Sequence, residues 1–143
     1  MIVDNTLVFS DSQAITATAA STNVLDLGLP GTPLNSGNQL KRDIGIGCDI
    51  PLAVDVTVGF NNLTSLQISL QVATDAAFTT PKEVASRTYL LAEISSAGTR
   101  LPFPAEVPEG TNLEFTRLYY TVTGTAPTTG KIFAGIVAGR PAS

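Results

Sequence analysis

The chain of 143 residues contains no histidine, no tryptophan and a single cysteine. Without histidine there is no Ser-His or Cys-His pair, and the commonest metal ligand and general base are missing. Cys48 has no partner for an internal disulfide, and nothing local lowers its pKa, so it reads as a small buried apolar residue. Charge is scarce as well: 14 % of the residues are charged, against roughly 25 % in an average soluble domain. The formal net charge is −4, and Lys41-Arg42 is the only adjacent basic pair. That excludes the concentrated basic face a nucleic acid requires. No apolar run approaches the roughly 20 residues of a membrane-spanning helix. The start, Met1 to Asn5, lacks the basic residues and apolar run of a secretion signal. The expectation is a protein made in the cytoplasm, with no enzymatic activity, cofactor, metal, nucleic acid or membrane partner. The sequon Asn62-Leu-Thr64 is then accidental.

What replaces charge is Thr, Ser, Asn and Gln, set between alternating apolar residues. Leu113 to Ala138 reads as a hairpin, with strands on either side of the loop Thr125 to Gly130, which Gly124, Pro127 and Gly130 punctuate. Leu118, Tyr120 and Val122 share one face of its first strand; Arg117, Tyr119 and Thr121 share the other. Tyr120 is therefore assigned to the core, with its hydroxyl at the rim. In the middle of the chain Leu52, Val54, Val56 and Val58 alternate with polar or small residues. Leu66, Ile68, Leu70 and Val72 do the same, and Gly59 to Asn62 connects the two runs. All of these even-numbered apolar residues form the expected core.

Shorter strands are expected at Asn5 to Ser10, Asn23 to Leu27, Asp43 to Gly47, Glu83 to Leu91 and Thr99 to Phe103. Asp75 to Phe78 suits one helical turn. About eight short strands with Gly/Pro/Asn turns predict one all-β domain over residues 1–143, an antiparallel sandwich. A jelly roll is the first choice and an immunoglobulin-like sandwich the second. The longest polar connection, Leu29 to Leu40, is where a partner surface is expected, because long loops in compact domains are usually functional or disordered. Asp43, Asp49 and Asp55 are weighed as a carboxylate pair, and Asp49, Asp55 and Asp75 as a calcium site, against the simpler reading of turn and solvent-face residues. Arg117 with Tyr119 is a candidate interface anchor, since both types are enriched at binding hot spots.

Three stretches resemble one family, the capsid cement (decoration) proteins of tailed bacteriophages: Phe9 to Gly28, Leu66 to Pro81, and Arg117 to Lys131. The resemblance implies a jelly roll on the outer surface of a phage head, bridging neighbouring copies of a major capsid protein and stabilising the particle. It also implies localisation to the virion and self-association, as a dimer at two-fold positions or, in competition, a trimer at three-fold ones. The residues expected to touch capsid or a second copy are Met1, Ile2 and Val3 of a short N-terminal arm, Leu29, Pro30, Thr32, Pro33, Leu34 and Asn35 of the long loop, and Arg117 and Tyr119. Two rivals are a carbohydrate-binding β-sandwich, disfavoured by three tyrosines and no tryptophan, and a small β-sandwich hydrolase, disfavoured by the missing histidine.

Overall fold

The computed structural model describes residues 3–40, 42–46, 50–104 and 106–138. They form nine strands: β1 (Val3–Ala14), β2 (Ala19–Ala20), β3 (Leu25–Asp26), β4 (Leu52–Val58), β5 (Leu63–Ala73), β6 (Lys82–Leu90), β7 (Thr99–Arg100), β8 (Phe115–Gly124) and β9 (Lys131–Val137). A single helical turn, α1 (Leu91–Ile94), follows β6. Strands β1-β9-β4-β7 make one antiparallel sheet; β2-β8-β5-β6 make the other, with β3 continuing the pairing of β2 along β8. With β2 and β3 sharing one position, this is the strand order of an eight-stranded jelly roll, in which the chain keeps changing sheet.

The alternation in the sequence works because each strand has one face against the opposite sheet. Leu52, Val54 and Val56 of β4 meet Leu66, Ile68, Leu70 and Leu118 across the sandwich, all of them buried. Two of the expected core residues depart from this. Val58 is exposed, because a register irregularity between Val56 and Val58 turns the strand end outward. Val122 is only partly buried. Tyr120 is in the core, but its hydroxyl is not at the rim: it lies 2.8 Å from Ser10 Oγ on the facing sheet. Ser10 is fully buried and also donates to Gln13 Oε1 at 2.7 Å. Burial raises the pKa of Tyr120, partly offset by the Ser10 bond.

Leu113 to Ala138 is not a hairpin. β8 pairs with β5 from Phe115 to Gly124, and β9 lies in the other sheet between β1 and β4. The loop 125–130 therefore crosses the top of the sandwich. Among the described residues the one long hairpin is β5–β6, joined by 74–81. Asp75 to Phe78 there is a turn rather than a helix: Phe78 N–H donates to Asp75 O at 3.1 Å, and Phe78 has φ +52°. Asp43 to Ile46 forms turns instead of a strand, because the Asp43 carboxylate takes the backbone N–H groups of Gly45 and Gly110 at 2.9 and 2.6 Å. Gly47, Cys48 and Asp49 lie outside the described residues. β1 begins at Val3, opposite Val137, so from that residue onward the expected arm is part of an edge strand.

Candidate contact surface

The topology sends three loops, 27–51, 74–81 and 101–114, to the same end of the sandwich. Leu27 N–H donates to Glu114 O at 2.7 Å and Ile44 N–H to Thr111 O at 3.2 Å, which ties the first loop to the third. Gly45 is needed there, since a β-carbon would collide with the Pro108 carbonyl. Arg42 fastens the base of the long loop from below. Its two terminal nitrogens donate to the carbonyls of Leu27, at 2.7 Å, and Gly28. Such a cation, spent on backbone carbonyls, is structural.

Above this base the chain from Leu27 to Leu40 carries no charged side chain. Leu40 N–H donates to Gly31 O at 2.9 Å and closes the neck of a compact loop. Ser36 N–H donates to Pro33 O at 3.0 Å and makes the tip turn, with Asn35 at φ +62°. The tip residue Leu34 is 93 % exposed and Leu29 72 %. Leu40 and Ile46 are exposed as well, and with Pro30, Arg42, Asp43 and Asn112 they line an open groove of about 800 Å³. Among the described residues, this end holds four of the large apolar side chains that face solvent. Singly such residues are ordinary, but clustered on a shaped protrusion they make this end the candidate contact surface. Of the residues expected here from sequence, Leu29, Pro30, Thr32, Pro33, Leu34 and Asn35 are brought together. Leu40 closes the loop expected from sequence to meet a partner; Ile46 was missed, although it is a large apolar residue beside turn chemistry.

Arg117 and Tyr119 lie elsewhere, on the outer face of the β2-β8-β5-β6 sheet. The Arg117 guanidinium stacks 4.1 Å from the Phe78 ring centre and 5.2 Å from that of Tyr119. Its Nε donates to Gln71 Oε1 at 3.0 Å. Burial lowers its pKa, with the neighbouring Tyr119 acting in the opposite sense. Val3 is partly exposed at the edge of the other sheet, 36 %. Met1 and Ile2 lie outside the described residues.

The acidic candidates are dispersed. Asp55 pairs with Arg100 across β4 and β7, Nε to Oδ1 at 2.8 Å and Nη2 to Oδ2 at 3.1 Å. Asp43 binds the backbone as described, and Asp75 Oδ2 accepts from the Thr79 hydroxyl at 2.8 Å, which with the Thr79 N–H lowers its pKa. Asp49 lies outside the described residues. Each of the three described candidates is thus committed to a hydrogen bond or ion pair, and no group of three or more metal-ligating side chains gathers among the described residues. Residues 9–136 match the family model described as Bbp16, a span running from Phe9 on β1 to Ile136 on β9. No curated protein matches the chain.

Proposed function

The chain belongs to the Bbp16 family, and we propose that it is a structural virion protein, one that binds the outer surface of a phage head and bridges neighbouring major capsid subunits. The observation that carries this reading is the charge-free loop with Leu34 exposed at its tip. Burying one such side chain against a partner contributes roughly 1.5–3 kcal/mol. A charge-free loop adds no cost of desolvating ions. Its neck and tip hydrogen bonds hold it in shape beforehand, which reduces the ordering entropy lost on binding. A protein present in many copies on a particle needs no catalytic centre for this role, only geometry and contact area.

Self-association is the second half of the proposal. β1 and the β2/β3 position are sheet edges, and an edge offers unpaired backbone groups to a second chain. Two-fold pairing fits a bridge between equivalent neighbours, and the dimer is the form proposed; a trimer is its competitor. Co-sedimentation with phage heads that lack this protein tests the reading. Saturable binding, with heads that survive heating better than bare ones, is expected; absence of binding to both empty and full heads would overturn it. Native mass spectrometry of the isolated protein separates dimer from trimer.

A further inference from the structure

Arg117 is the one cation on the outer face of its sheet among the described residues. The β5–β8 register places the neutral side chains Gln67, Ser69, Gln71, Tyr119 and Thr121 around it, and β3 adds Asp26 beside Phe115, whose carboxylate accepts the Gly28 N–H at 2.8 Å and forms no ion pair with Arg117. Glu83 stands two strands away, beyond Gln71, and forms no ion pair with it, whereas Arg100 pairs with Asp55. The Nε of Arg117 is held by Gln71, and its plane is packed against Phe78. The two terminal nitrogens make no hydrogen bond to a described residue. Their edge is a fork with its orientation already set.

The chain accepts strain to build that fork. Phe78 has φ +52°, a conformation uncommon for a bulky residue, and the residue is nevertheless buried, 5 % exposed. The turn from Asp75 to Thr79 holds it there, through the Phe78–Asp75 backbone bond and the Asp75–Thr79 side-chain bond. Backbone strain of this kind persists where the surroundings over-determine it, and it gathers at binding sites. A planar fork with two free donors matches a carboxylate, which takes both in parallel. A nucleic-acid backbone is a poor match, because one cation on a neutral face cannot neutralise a run of phosphates. The site also lies towards the end of the sandwich that bears the apolar loop, since Arg117 is three residues from the loop 101–114 and Phe78 belongs to 74–81. An arginine anchor beside an apolar contact, ringed by neutral residues, is the usual composition of a binding hot spot.

We propose that Arg117, stacked on Phe78 and Tyr119, is the polar anchor of the partner contact and receives an Asp or Glu carboxylate of the capsid protein bidentately. The proposal rests on the head-binding reading for its partner, and its chemistry is testable without it. In the isolated protein, the Arg117 side-chain N–H resonances are followed by NMR while acetate or inorganic phosphate replaces chloride at constant ionic strength. Acetate should shift them saturably, and Phe78→Leu should weaken that response. No acetate response, or a response to phosphate alone, overturns the carboxylate site.

With heads, Arg117→Gln should weaken co-sedimentation about thirtyfold or more, the scale for truncating one member of a buried charge pair. Arg117→Lys, which keeps charge and stem but loses the fork, should restore only part of it and serves if the glutamine variant folds poorly. Wild-type affinity in both variants overturns the anchor while leaving head binding intact. If the wild-type protein itself does not bind heads, the head-binding reading fails, and the acetate titration alone decides the carboxylate site.

Discussion

The two ends of the sandwich are built on opposite plans. At one end the loops bind each other. Asn61 Oδ1 accepts the N–H groups of Thr128 and Thr129 at 2.8 and 3.1 Å, and its Nδ2 donates to the Thr128 hydroxyl at 2.7 Å. Ile15 N–H donates to Gly130 O at 3.1 Å, and Phe60 N–H to Ile94 O at 3.0 Å. Phe60 is buried beneath them, against Gly130. At the other end the long loop bonds mainly to itself and to its base, and its leucines point at solvent. Polar groups satisfied within the chain close an end; apolar groups left over after those bonds are made open it to a partner. The difference assigns stability to the first end and leaves the second as the surface on which the proposed binding would fall.

Glycine substitutions separate the ends most sharply. At the closed end, Gly130 has φ +135° and a β-carbon there would overlap the Phe60 ring. Gly130→Ala should therefore cost about 3 kcal/mol, combining overpacking with backbone strain, read as the shift of a urea midpoint. At the open end Gly37 has nothing near its would-be β-carbon. A comparable loss from Gly37→Ala would break the comparison.

Between the ends, Ser10→Ala removes the partner of the buried Tyr120 hydroxyl and should cost about 1–3 kcal/mol. The same core sets an alkaline limit. Burial pushes Tyr89 from 10.0 up to about 12, and raises Tyr120 too. The fold thus holds these protons more tightly than the unfolded chain does. The Tyr89 contribution to stability is complete below pH 10 and is lost as pH rises through about 12; that of Tyr120 is likewise lost only in strong alkali. Thermal midpoints from pH 8 upward check this; a midpoint that rises above pH 10 would contradict it.

Asn61→Ala deletes three exposed bonds at the closed end and should cost about 1 kcal/mol. The smallest effect on stability belongs to Leu34→Ser, less than about 0.5 kcal/mol because the side chain touches little, while co-sedimentation with heads should fall measurably. A Leu34 variant that melts early would mean that the loop supports the fold rather than a contact.

Much of this was legible beforehand because it is local. Strict alternation placed Ile68, Leu70 and Leu118 inward, and the Pro/Gly/Asn run from Leu29 to Leu40 announced a loop. Val58 went astray because a bulge changes which face a strand end shows, and no side-chain pattern records it. Asp43 to Ile46 went astray because one carboxylate captured two backbone donors, one of them 67 positions away.

By itself, then, the sequence determined the all-β class, most of the inward face of β4, β5 and β8, the absence of histidine chemistry and the position of the long loop. Each follows from side-chain type and a period of two, properties of neighbouring residues. Only the tertiary structure decided that β8 and β9 belong to different sheets, that Tyr120 meets Ser10, and that Phe78 lies on Arg117. Strand pairing depends on which backbone donors and acceptors meet after the chain has folded over many residues, and the alternation on any one strand is the same whichever neighbour it finds.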